Sequence, residues 1–189
     1  MVESINNIVI TSTAQVGDAI VTNPKIAAGV LNVKKVAETI ISGSAATSIS
    51  FTGLTGKRYL MIYDVENAHA VNYNELHYYM NADTTANHYK SQELNISNAG
   101  TQAARPANAY FVAANPSMCA SGHAFFGIDF NGHGYAMNLN KMENQESTNF
   151  CEVTWDNSTM TAFSSIAITG NQANGLAVGS KAVLYEVIV

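Results

Sequence analysis

Residues 181–189, Lys-Ala-Val-Leu-Tyr-Glu-Val-Ile-Val, constrain the fold more than any other stretch of the 189-residue sequence. Val183, Tyr185, Val187 and Val189 recur at every second position and share one face of a strand. Leu184 and Ile188 make the opposite face apolar as well. A strand with two apolar faces must lie inside a sheet or beneath a partner, because neither side tolerates water. The run predicts a β-sandwich and points to a component of an assembly.

The rest of the chain repeats the strand signal. Ile49 and Phe51 alternate ahead of a turn at 52–56. Residues 59–65 are apolar on both faces, as in a central strand. Leu76, Tyr78 and Met80 oppose Glu75, His77 and Tyr79, as in a half-exposed strand. Residues 81–87 form a loop of Asn, Asp and Thr, and 97–108 read as a long surface loop carrying Pro106. Phe126, Ile128 and Phe130 run up to Asn131-Gly132, and Tyr135, Met137 and Leu139 run back. Asn-Gly suits the positive φ angles of a tight hairpin turn, and His133-Gly134 would lengthen the loop. A second pair, 150–155 and 160–168, is joined by 156–159. Seven or eight strands at hairpin spacing, with no βαβ unit, predict an all-β, antiparallel β-sandwich of jelly-roll type.

Residues 1–45 differ. They hold no aromatic residue, and their aliphatic runs at 8–10 and 19–21 are broken by Gly17-Asp18 and Asn23-Pro24. Ile26, Ala27, Val30, Val33, Val36, Ala37 and Ile40 have helical spacing, which Gly29 and the β-branched content weaken. The chain therefore divides into an extended N-terminal arm, 1–45, with one short helix or strand and ordered by neighbours, and a sandwich, 46–189.

Charged residues are 12% of the chain, about half of the ~25% usual in a soluble domain, and the net charge is −5. A surface of amides and hydroxyls suits a protein that buries itself against its own copies. No basic run exists, so nucleic acid is not expected as a partner. No apolar run is long enough to span a bilayer, and no signal peptide is evident, so synthesis in a cytoplasm is expected. Cys119 and Cys151 make no disulfide framework, and Cys151 reads as a buried strand thiol.

Sites are sparse. His77, His88 and Asp83 could converge on a metal, but exposed strand and loop positions explain them more simply. Asn81, Asp83 and Asn87 could hold calcium, but capping the loop through backbone amides is favoured for a run with a single carboxylate. Glu143 and Glu146 could form a carboxylate pair but read as solvated. No catalytic, cofactor or metal residues are assigned. Tyr73, Tyr78, Tyr79, Tyr89 and Tyr110 are the candidate glycan or partner contacts, set against an ordinary role in strand faces and subunit contacts.

The order of four blocks resembles a known group. These are Ile49-Ser50-Phe51-Thr52-Gly53-Leu54 with Tyr59; Asn81-Ala82-Asp83-Thr84-Thr85-Ala86-Asn87-His88-Tyr89; Ser164-Ser165-Ile166-Ala167-Ile168-Thr169-Gly170; and Gly179-Ser180 through Leu184-Tyr185. Together, over 47–189, they resemble small β-sandwich structural proteins of tailed-bacteriophage virions, of the head decoration, fibre or tail appendage type. The resemblance implies a non-enzymatic virion protein that decorates or stabilises the capsid surface, made in the cytoplasm of a bacterial host. It implies contacts with the major capsid protein or other virion proteins. A homo-oligomer, as a trimer, is expected from the apolar last strand and the low charge. The alternative is a receptor- or glycan-binding tail or fibre module reading host surface glycan, and a jelly-roll enzyme ranks third.

Overall fold

A computed structural model describes residues 32–97, 100–105, 108–114, 117–142, 147–156 and 159–188. The chain divides into two compact units, 33–187 and 1–32 with 188–189, and the second lies almost wholly outside the described residues.

The larger unit is an antiparallel β-sandwich. Its strands are β1 (Asn32–Ile40), β2 (Ser48–Thr52), β3 (Arg58–Glu66), β4 (Asn74–Met80), β5 (Tyr89–Ser97), β6 (Gly100–Ala104), β7 (Tyr110–Ala114), β8 (Cys119–Ile128), β9 (Gly134–Met142), β10 (Ser147–Trp155), β11 (Ser165–Gly170) and β12 (Lys181–Ile188). A long sheet is ordered β1-β12-β3-β8-β9-β10-β5-β6, and a short one β2-β11-β4-β7. The chain crosses repeatedly between the two sheets, as in a jelly roll. This bears out the expected all-β sandwich.

Several expectations hold in detail. β12 lies inside the long sheet between β1 and β3, with Ala182 and Leu184 in the core and Val183 and Tyr185 half-buried on the opposite face. Leu76, Tyr78 and Met80 are fully buried, and Phe51 and Leu54 close the core around the turn at Gly53, whose φ is +70°. Cys151 is buried, with Val153 and Trp155 on the same face.

Other expectations are corrected. The choice between a short helix and a strand before residue 41 falls to a strand: β1 joins the long sheet, so the strands begin before the expected boundary at 45. Its β-branched residues suit a strand, and Ile41 exchanges hydrogen bonds with Gly179 and Ser180 beside β12. Part of the 97–108 loop is the edge strand β6, held on β5 from Glu93↔Ala104 to Ser97↔Gly100. β10 and β11 are not a hairpin, since β11 pairs with β2 and β4 in the other sheet. The β8–β9 hairpin exists, but its loop spans 129–133. There Asp129 Oδ1 accepts from the Asn131 and His133 amides, both at 2.8 Å, and Gly132 takes φ +86°. Phe130 is fully exposed in that loop.

The least expected feature is the phase of β9. Met137 and Leu139 face outward, while Asn138 and Asn140 are buried between the sheets. Asn138 Oδ1 accepts hydroxyl hydrogens from Tyr63 on β3 and Tyr78 on β4, each at 2.8 Å. Tyr78 stacks on Phe111 with ring centroids 3.7 Å apart. Burial pushes both phenols far above their usual range, so they stay protonated as donors. Asn140, by contrast, lies beside the Tyr63 hydroxyl without a hydrogen bond of ordinary geometry at either amide atom.

These two asparagines should therefore respond differently to replacement. Asn138→Leu strands two buried hydroxyls and should cost about 2 kcal/mol or more in chemical denaturation. Asn140→Leu removes only a poorly formed contact with the Tyr63 hydroxyl and should change stability by less than about 1 kcal/mol. Equal losses would show that the hydroxyl bridge is not what distinguishes these two positions.

Candidate functional site

The five tyrosines do not form one surface. Tyr78 and Tyr89 are fully buried, Tyr79 and Tyr110 are half-buried, and Tyr73 stands at 62% exposure in the turn before β4. Tyr89 is structural: its hydroxyl donates to the Asp83 carbonyl at 2.7 Å and accepts from the Met80 amide at 2.9 Å. Tyr79 packs edge-on against both Tyr89 and His77.

The 81–88 loop is held by Asp83 as a cap. Its Oδ1 accepts from the Thr85 amide at 3.0 Å, and its Oδ2 accepts from Trp155 Nε1 at 2.8 Å and lies 2.7 Å from His88 Nδ1. Asn81 Oδ1 accepts from the Ser164 amide at 2.7 Å. His77 lies apart from this cluster, facing Tyr79 and Glu75. Among the described residues no three His, Cys, Asp or Glu side chains come together to hold a metal. Glu143 and Glu146 lie outside the described residues.

Sequence periodicity did not reveal the outer face of the long sheet. Strand register aligns its outward side chains in rows across six strands, β12-β3-β8-β9-β10-β5. One row runs Tyr185, Leu60, Phe125, Met137, Glu152 and Gln92. The next runs Val183, Ile62, His123, Leu139, Phe150 and Leu94. The third runs Lys181, Asp64, Ser121, Lys141, Thr148 and Ile96. Only pairing between strands distant in sequence makes these residues neighbours.

The third row is polar where the second is apolar. Ser121 Oγ donates to Asp64 Oδ1 at 2.7 Å. Lys181 pairs opposite Asp64, and Lys141 opposite Ser121. An open recess of about 330 Å³ is lined here by Asp64, Cys119, Ser121 and Lys141. Ser121 gives its proton to a carboxylate, so its oxygen presents lone pairs. Within this row two ammoniums accompany one carboxylate, while Glu66 lies one row on, opposite Cys119, and Glu38 on β1 lies near Lys181. The recess thus offers one cationic donor, Lys141, and the hydroxyl-accepting oxygens of Asp64 and Ser121 side by side.

No protein-family model matches the chain, and no curated protein matches it. Among solved structures it is similar to an alginate lyase in complex with an alginate tetrasaccharide, at TM-score 0.28 and 11% identity over 75% of this chain and 81% of that one. A likeness this distant transfers neither residues nor activity. The comparison nevertheless falls on an enzyme and not on a virion protein. The expectation of a non-enzymatic capsid-decorating protein is corrected on this finding, as is the expectation that the chain is not an enzyme. In the structure the four sequence blocks form β2 with its turn, the 81–88 loop, β11, and the turn into β12 with its first residues.

Asp83 yields a prediction with a defined pH window. Burial alone would raise its pKa, but the hydrogen bonds from Thr85, Trp155 and His88 outweigh it and hold the carboxyl well below the usual range. A depressed folded pKa contributes stability above the unfolded value of about 3.9, lost as pH falls through the folded value. Asp83→Ala should cost about 2 kcal/mol at neutral pH, a Tm drop of roughly 4–8 °C. The gap to the parent should narrow below about pH 4. Melting curves across pH check this, and a gap independent of pH would refute it.

Proposed function

We propose that the chain binds an acidic polysaccharide on the outer face of the long sheet, with the recess beside Asp64, Ser121 and Lys141 as the anchoring point. The observation that carries this reading is the cross-strand row in which Lys181 and Lys141 bracket the hydrogen-bonded Asp64–Ser121 pair. A uronate carboxylate or sulfate ester takes the lysine donors. Neighbouring sugar hydroxyls donate to the remaining lone pairs of Asp64 and Ser121. The row crosses strands, which suits an extended polymer better than a compact metabolite.

Affinity electrophoresis through acidic and neutral polysaccharides tests this, with loss of viscosity and release of new chain ends measured in parallel. Acidic polymers should retard the protein and neutral ones should not, and retardation should weaken with salt. Lys141→Ala should weaken binding about tenfold, the loss of one charge-assisted hydrogen bond. If a Lys141→Ala, Lys181→Ala double variant migrates like the parent in every gel, the reading fails.

A further inference from the structure

We infer that the two apolar rows of the outer face are the contact surface for a second copy of this chain. The inference does not rest on saccharide binding and concerns different side chains. Its ground is the inverted pattern over β9, β10 and β5. Asn138, Asn140 and Asn149 are buried inside the sandwich, while Met137, Leu139, Phe150 and Leu94 are directed out. Ile62 is 47% exposed, Met137 44%, Phe150 43% and Leu139 41%, and Val183, Leu60, Phe125 and Tyr185 around them are half-buried.

These exposures are not isolated. Register makes Val183, Ile62, His123, Leu139, Phe150 and Leu94 direct cross-strand neighbours, so the exposed apolar atoms are contiguous. Glu152 is the single carboxylate or ammonium in the two rows, and the charged groups Lys181, Asp64 and Lys141 lie in the row beyond.

Area and composition select a second copy as occupant. The two rows present on the order of 500 Å² of apolar surface, larger than a scattered surface residue explains and most of the ~800 Å² that each partner contributes to a stable interface. An apolar centre with charge confined to the margin is the composition of homo-oligomer interfaces. Aliphatic Leu, Ile, Met and Val outnumber rings here, and such surface packs on another apolar surface and not on sugar hydroxyls. A face of this kind is self-complementary about a two-fold axis lying in the contact plane.

Light scattering coupled to gel filtration on the full chain, from low to high micromolar, tests the inference. The parent should run as a multiple of the monomer mass. Leu139→Glu and Phe150→Glu should each weaken association tenfold or more while keeping a cooperative melt, and Phe150→Ser replaces either if glutamate unfolds the sheet. Val71→Glu, at an 81% exposed position outside these rows, should leave the mass unchanged. A monomer at all concentrations overturns the inference, even if the face then captures polysaccharide. So does an oligomer that survives every substitution on the face.

Discussion

Asn138 joins the two sheets by accepting the hydroxyl hydrogens of Tyr63 and Tyr78 on one carbonyl oxygen. Tyr63 and Asn138 belong to the long sheet and Tyr78 to the short one. A buried phenol without an acceptor is costly, so two of them sharing one oxygen set where that oxygen must be. The position of Asn138 then determines the phase of β9. With Asn138 inward, Met137 and Leu139 have no alternative but the outer face, since successive side chains in a strand point oppositely.

The same phase is carried along the sheet by pairing. Asn138 lies opposite Cys151 on β10 and Ala124 on β8, both of which face the core. Phe150, Glu152, His123 and Phe125 are thereby sent outward. The polar row with Lys181, Asp64, Ser121 and Lys141 follows two residues further along each strand. Core hydrogen bonding and the outer surface are thus two consequences of one register. Stacked Tyr78 and Phe111, with Phe126 edge-on at 5.1 Å, fill the space around the bridge with rings.

Much of the fold is legible in the residues. Leu76, Tyr78 and Met80 against Glu75, His77 and Tyr79 is a period-two pattern whose buried face the structure confirms. Asp83 as a loop cap was readable because a short carboxylate next to Thr residues reaches backbone amides locally. The pairing of β10 was misread. Sequential strands joined by a short polar segment resemble a hairpin, yet β11 lies in the other sheet, and ahead of it the Phe163 amide donates to the Gly56 carbonyl. The recess was illegible for a similar reason. Asp64, Cys119, Ser121 and Lys141 are separated by up to 77 residues and follow no local motif.

By itself the sequence determined the all-β character, the sandwich class, the turn at Gly53, and the place of the last strand inside a sheet. Each of these follows from alternation and backbone preference within a few residues. Only the tertiary structure decided which face of β9 is buried, which strands are neighbours, and which side chains line the outer rows. Asn and Met at adjacent positions offer two opposite phases of similar local plausibility. The choice is made by Tyr63 and Tyr78, which are 75 and 60 residues away in the chain; Tyr63 reaches Asn138 only once the long sheet has paired, and Tyr78 only once the two sheets have closed.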